Sequence, residues 1–168
     1  MTGCPVSDAD LDKGKLLAAL VVQLEAKLNE LRAGYGAARD AVLSTPHVMK
    51  SKREVFGQES AYLANALSLN IQEREHELKL LRGVTLTHNP ERVALGCLIG
   101  VGSADDAAGA LYLLLPVCGG MEIPLPSGGI ARVITPATPI AKALLGKELG
   151  DEVRLPNAPD PQYIRLLQ

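Results

Sequence analysis

Aromatic residues are scarce in this sequence, which has one Phe, four Tyr and no Trp among 168 residues. With 47% hydrophobic residues the chain can still build a core, and that core must be aliphatic. Long apolar runs are also lacking, since no stretch approaches the roughly 20 consecutive apolar residues of a membrane span. The N-terminus has no apolar run ahead of its first charges. We therefore expect neither a membrane anchor nor a secretory signal, and a cytoplasmic location.

Charge of one sign does not dominate either. The chain has 17 Lys and Arg against 19 Asp and Glu, which leaves a net charge of −2. Attraction of the whole protein to duplex nucleic acid needs a clear excess of basic residues. The charge balance therefore excludes that class of partner for the chain as a whole.

Patterns that bind metals or cofactors are missing as well. The three cysteines, Cys4, Cys97 and Cys118, lack CxxC spacing, which fits a reducing compartment and argues against zinc. Cys97 and Cys118 lie in strand-like runs and are predicted core residues. The sequence contains no P-loop, Rossmann or HExxH motif. We expect no cofactor, no metal and no catalytic activity of the chain's own.

The first half of the sequence predicts a long helix over residues 11–43. This stretch has no proline, and at about 1.5 Å rise per residue a helix of this length spans roughly 50 Å. Its apolar residues recur with a seven-residue period, which is typical of a coiled-coil seam. The seam positions are Leu17, Val21, Leu24, Leu28, Leu31, Tyr35, Ala38 and Val42.

A second helix is predicted over residues 52–81, after a break at Thr45-Pro46. Its apolar stripe consists of Leu63, Leu67, Ile71, Leu78 and Leu81, with Tyr62, Ala66 and Leu69 beside it. Its solvated polar face consists of Gln72, Glu73, Arg74, Glu75, Glu77 and Lys79. Two such helices can bury their stripes against each other, so we predict an antiparallel hairpin over residues 1–83 and a monomer. If the seam paired between chains instead, the protein would be a coiled-coil scaffold or dimer.

The second half predicts a small β-rich domain over residues 91–168, joined to the hairpin by a linker at residues 84–90. Strands are expected at residues 92–101, 110–117, 130–135 and 163–167, separated by turns rich in Gly, Ser and Asp, the first of them at residues 104–109. The aliphatic run at residues 111–117 suits a central strand buried on both faces. The predicted fold class is therefore α+β.

Residues 132–153, with the sequence RVITPATPIAKALLGKELGDEV, predict a strand, a short capped helix and a return strand. Thr138 can cap the helix, and Pro139 suits its first position. Gly146 can take the left-handed position after the helix, where Lys147 complements the helix dipole.

This segment resembles the C-terminal signature of the Gre-type bacterial transcription elongation and transcript cleavage factors. The matching residues are Thr138, Pro139, Ile140, Ala143, Leu144, Leu145, Gly146, Lys147, Gly150, Asp151 and Val153. The resemblance implies an FKBP-like domain that follows a helical hairpin. It also implies that this domain docks on bacterial RNA polymerase while the hairpin enters the secondary channel. The docking residues would be Thr135, Pro136, Thr138, Pro139 and Lys147, with Ala137 standing where an acid is common in the family.

The predicted hairpin tip, about residues 44–57, departs from the family pattern. In the family, carboxylates at the tip help to hold a second Mg²⁺ that promotes RNA cleavage, which requires oxygen ligands close to the metal. The tip here carries His47, Lys50, Lys52, Arg53 and Glu54, so a single carboxylate stands among basic residues. We expect binding without efficient stimulation of cleavage, and contact of the tip with phosphates of RNA or nucleotide. The alternative for these charges is a solvated helix junction.

Two further alternatives remain open. The chain could be a cleavage-stimulating factor that uses Glu54 or Asp40. The C-terminal domain could instead be an FKBP-like prolyl isomerase. That activity usually needs an aromatic-lined cleft, and this half of the chain offers only Tyr112 and Tyr163.

Overall fold

The computed structural model describes residues 12–44, 50–103, 109–156 and 158–168, without the side chains of residues 41–44 and 50–61. The predicted Thr45-Pro46 break, His47, Cys4 and most of the turn predicted at 104–109 lie outside these residues, as does the side chain of Val42. The elements in order are α1 (Lys13–Ser44), α2 (Lys50–Arg82), β1 (Leu98–Gly102), β2 (Ala110–Leu114), β3 (Glu122–Pro124), β4 (Ile130–Ile134), α3 (Pro139–Leu144), β5 (Glu152–Val153) and β6 (Gln162–Leu167). A helical N-terminal region and a β-sheet domain make a mixed α+β protein, so the predicted fold class is confirmed at this level.

The chain divides into two compact units. The first is Val21–Lys79, and the second combines Met1–Leu20 with Leu80–Gln168. In the first unit, Arg32 of α1 donates a hydrogen bond to Glu75 of α2, with 2.7 Å between Nη2 and Oε1. A parallel helix pair with this contact would separate Ser44 from Lys50 by roughly 50 Å at the helical rise per residue. Residues 45–49 cannot span that distance. The two helices are therefore antiparallel within the chain.

The buried positions of α1 differ from the predicted seam at its start. Leu16, Leu20, Leu24 and Leu28 are buried, whereas Leu17 and Val21 are half-buried. Leu16 and Leu20 belong to the unit that holds the sheet. The first turns of α1 thus belong to a different unit from the rest of the helix. A seven-residue spacing counted along one helix does not predict where the helix passes from one unit to the other.

In α2 the predicted stripe is wrong at Leu63, which is 54% exposed. Arg32 and Glu75 are paired, so positions equally far from them toward the tip lie at the same level. Leu63 is twelve residues before Glu75, and Ser44, the last residue of α1, is twelve residues after Arg32. An antiparallel register therefore places Leu63 level with the end of α1, where the covering surface runs out. The predicted solvated face is also wrong at two positions, because Arg74 and Glu77 are half-buried and pair with each other. Their aliphatic stems can lie along apolar neighbours while their charges stay hydrated.

The second unit contains a six-stranded sheet in the order β3-β4-β2-β1-β6-β5. Strands β2 and β4 are parallel, and every other neighbouring pair is antiparallel. Residues Leu111–Leu114 are all buried, and β2 lies between β1 and β4, so the prediction of a central strand buried on both faces is confirmed. Ala141 and Leu144 of α3 pack against one face of the sheet. The core that they form there with residues of the sheet unit also contains Val93, Cys97, Ile99, Val101, Tyr112, Leu114, Ile134, Val153, Leu155 and Ile164.

The strand predicted over residues 92–101 is shorter in the structure, where β1 begins at Leu98. Gly96 interrupts it with a φ of 83°, in the left-handed region. The segment before the sheet also approaches closely here, because a Cβ on Gly96 would lie 2.6 Å from the carbonyl oxygen of Thr85. Lys13 donates to the carbonyl of Thr87 in the same segment, and burial lowers the pKa of this lysine.

Strand β3 was not predicted, because its three residues include a proline and form an edge.

Replacing Gly96 by alanine should destabilise the chain strongly. The substitution adds a left-handed alanine and a clash with main-chain oxygen, together about 3 kcal/mol. Urea unfolding followed by circular dichroism measures the loss. Gly120→Ala is the matched control, since Gly120 has a φ of 85° and no atom within 4 Å of the added Cβ. It should cost only about 1 kcal/mol, and equal losses for the two variants would contradict the close approach.

Candidate functional site

The candidate docking loop, residues 135–139, leads from β4 into α3. The amide of Thr138 donates to the carbonyl of Thr135 at 2.9 Å, which closes a turn over Pro136 and Ala137. The Thr138 hydroxyl donates to the same carbonyl at 2.7 Å and accepts from the amide of Ala141 at 3.3 Å. Pro139 occupies the start of the helix, as predicted. One threonine thus closes the loop and caps α3.

Exposure within this loop is uneven. Thr135, Pro136 and Thr138 are half-buried, whereas Ala137 and Pro139 are exposed. The half-buried threonines are engaged in the loop's own hydrogen bonds. A partner that meets this loop would therefore contact mainly Ala137 and Pro139, which carry no charge.

Lys147, the fifth predicted docking residue, lies at the other end of α3. The helix has six residues, about 9 Å along its axis. Gly146 follows it with a φ of 75°, and two hydrogen bonds tie this end to Val93: Gly146 N to Val93 O at 3.0 Å and Val93 N to Lys147 O at 2.8 Å. The structure therefore brings four of the predicted docking residues together in one loop and separates Lys147 from them.

The end of the resembling segment forms a second fixed turn. Gly150 has a φ of 91° and donates to the carbonyl of Ile164 at 2.8 Å. The Asp151 carboxylate accepts from the amide of Glu148 at 2.9 Å. Val153 is buried in the core. Each of these residues has a structural role, so most of the segment encodes how the chain folds around α3.

Sequence reasoning missed two exposed apolar residues beside this turn. Leu145 is 39% exposed and Leu149 is 62% exposed. Because both occur in a segment that reads as helix and turn, periodicity gives no signal that they face solvent. They add apolar surface at the end of α3 where Lys147 lies.

The predicted tip residues cannot be assembled into a site from the described part of the chain. His47 lies outside it. Lys50, Lys52, Arg53 and Glu54 belong to the first turns of α2, and their side chains are likewise outside the description. The expected contact of the tip with phosphates stays a prediction.

An open cavity of about 470 Å³ lies on the sheet, between the first residues of β2 and β4. Tyr112 and Ile130 contribute apolar lining, and Arg132 donates to Glu122 from Nη2 at 2.7 Å and from Nε at 3.2 Å. The hydrogen bond and charge of Glu122 raise the pKa of Arg132. Tyr112 is the aromatic residue in the described lining, and it is 4% exposed. An aromatic-walled cleft is not formed by these residues.

No cluster of three or more His, Cys, Asp or Glu side chains within the described residues could hold a metal ion. None of the helices in that part of the chain is long and apolar enough to cross a membrane.

No family model matches the sequence, and no curated protein matches it. Among solved structures, GreA factor homolog 1 (Gfh1) of Thermus thermophilus is 19% identical, with 88% of this chain and 94% of that chain covered and a TM-score of 0.34. A second structure, of the transcription factor Gfh1, is 20% identical, with coverages of 89% and 93% and a TM-score of 0.36. TM-scores this low do not establish a shared fold, and neither likeness supports a function.

Removing the Thr138 hydroxyl should destabilise the sheet-containing unit. Thr138→Ala deletes the cap of α3 and the hydroxyl's hydrogen bond to the Thr135 carbonyl, while the amide's bond to that carbonyl stays, at a cost of about 1–2 kcal/mol. Thr138→Ser keeps the hydroxyl and should cost less than half as much. Thermal or urea unfolding of the two variants beside the wild type measures this. If serine and alanine destabilise equally, the hydroxyl does not hold the loop.

Proposed function

We propose that this chain is a regulator of transcription elongation of the Gre type that binds bacterial RNA polymerase. The observation that carries the proposal is the segment from Thr138 to Val153, where eleven positions match the Gre signature at fixed spacing. A match of this length is far more specific than a lone glycine motif. Its support from the structure is that this segment forms one ordered unit, a capped helix between β4 and β5.

The docking surface is the loop of residues 135–139 in an FKBP-like C-terminal domain. Ala137 and Pro139 supply its exposed atoms. Because Ala137 replaces the acid that is common in the family, the contact with the polymerase is apolar rather than ionic. At the other end of α3, the exposed Leu145 and Leu149 beside Lys147 offer a second apolar surface.

The helical hairpin enters the secondary channel and carries its basic tip toward the polymerase active site. Lys50, Lys52 and Arg53 outnumber Glu54 there by three charges to one. A lone carboxylate beside a lysine and an arginine pairs with them more readily than it recruits a second Mg²⁺, which needs several oxygen ligands. The protein therefore regulates the polymerase without efficient stimulation of RNA cleavage and has no catalytic activity of its own. We propose that it acts as a monomer, and the ion pair between Arg32 and Glu75, which joins the two helices of one chain, supports this.

Loss of the Pro139 ring should weaken binding to RNA polymerase by roughly tenfold or more, as for an apolar anchor in an interface. Alanine is tolerated at the first helical position, so the domain should stay folded. Biolayer interferometry with immobilised polymerase from the source organism gives the affinity. Pro156→Ala, an exposed proline between β5 and β6, is the matched control. Equal affinities for wild type and Pro139→Ala would contradict docking through this loop.

The tip predicts a specific outcome on backtracked transcription complexes. Wild-type protein should alter elongation or pausing without accelerating Mg²⁺-dependent RNA cleavage, and the triple variant Lys50→Ala/Lys52→Ala/Arg53→Ala should lose that effect. Glu54→Ala should behave as wild type. Gel analysis of RNA lengths separates elongation from cleavage. Strong cleavage by the wild type that disappears in Glu54→Ala would instead identify a cleavage factor.

A further inference from the structure

The middle of α2 contains a segment without charge. Residues 60–72, with the sequence SAYLANALSLNIQ, include no Asp, Glu, Lys or Arg. Three of its large apolar side chains are open to solvent: Tyr62 is 81% exposed, Leu63 is 54% and Leu69 is 60%. Single exposed apolar residues are ordinary on protein surfaces, but three of them within about two helical turns form a patch.

This patch lies on the side of α2 that faces away from the interior of its unit. The half-buried positions of the segment are Ala64, Leu67, Ser68 and Ile71, which share one side of the helix. Tyr62, Ala66 and Leu69 are spaced by four and three residues and share the opposite side, with Leu63 at its edge. We call Tyr62, Leu63, Ala66 and Leu69 the neutral face. Packing within the unit leaves it uncovered.

The chemistry of the neutral face fits a protein surface and not a nucleic acid. Phosphate groups are bound by Lys and Arg, which the segment lacks. Protein interfaces are depleted of charge at their centres and enriched in Tyr. The contrast with the next part of the same helix is sharp, since residues 73–82 carry six charged side chains in ten positions.

A second copy of the chain does not fit this face. Full burial of Tyr62, Leu63 and Leu69 would remove on the order of 500 Å² from water, less than the ~800 Å² that each partner buries in a standard interface. A helix pair cannot extend the contact, because the stripe continues into Glu73 and His76. A small apolar patch is useful to a partner that is already held elsewhere, since tethering raises the effective concentration of the second contact.

We propose that the neutral face is a second contact with RNA polymerase and packs against an uncharged apolar part of the protein that receives the hairpin. This inference rests on the proposed function. The docking loop holds the chain, and the neutral face adds affinity once the hairpin is in place. Tyr62 is its central residue.

Affinity measurements with full-length chain test this contact. The double variant Tyr62→Ser/Leu69→Ser should bind the polymerase roughly tenfold more weakly than wild type, with helicity unchanged by circular dichroism because both side chains are exposed. Val22→Ser is the matched control, since Val22 is 64% exposed on α1 outside the neutral face and should bind as wild type. Weak binding by the double variant and normal binding by the control support the proposal.

A photo-reactive phenylalanine analogue at position 62 identifies the occupant without removing the aromatic side chain. A cross-link to a polymerase subunit supports the proposal. A cross-link to RNA, or to a second copy of the chain, overturns it. If the double variant binds as tightly as wild type while Pro139→Ala binds weakly, the neutral face is not a contact and the proposed function stands. If wild type does not bind the polymerase at all, both the proposed function and this inference fail.

Discussion

The sheet depends on β2 being covered on both faces. Four consecutive buried residues, Leu111–Leu114, point alternately to the two sides, so neither side can face water. On one side, Tyr112 and Leu114 pack with α3. Because α3 has only six residues, a small shift along the sheet would uncover the buried strand. The chain must therefore enter and leave α3 through turns of fixed geometry. The aliphatic strand therefore constrains the surrounding loops.

That constraint explains why so much of the resembling segment is structural. Thr138 caps α3, Gly146 takes a left-handed conformation after it, and Asp151 closes the following turn. The apolar positions left for recognition of a partner are the exposed Ala137 and Pro139 in the loop and Leu145 and Leu149 after α3. In the proposed interaction with RNA polymerase, most of the segment therefore determines the fold, and a small apolar surface makes the contact.

The helical unit distributes its charge and apolar surface differently. Arg32 and Glu75 pair its helices where the two overlap, and six charged residues of α2 lie in the same part, at 73–82. Between this part and the basic first turns of α2, residues 60–72 carry no charge, and Tyr62, Leu63 and Leu69 are exposed. A helix that only had to be soluble would carry charge on its exposed side throughout. This uncharged, exposed stretch is the basis of the proposed second contact.

The sequence by itself determined the helices, the turns around α3 and the central position of β2. These depend on caps, glycine conformations and apolar runs, which act over a few neighbouring residues. Only the tertiary structure decided that Leu16 and Leu20 are buried, that Leu63 is exposed, and that β3 pairs at the edge of the sheet. Burial depends on where a covering element begins and ends, and that element comes from a distant part of the chain.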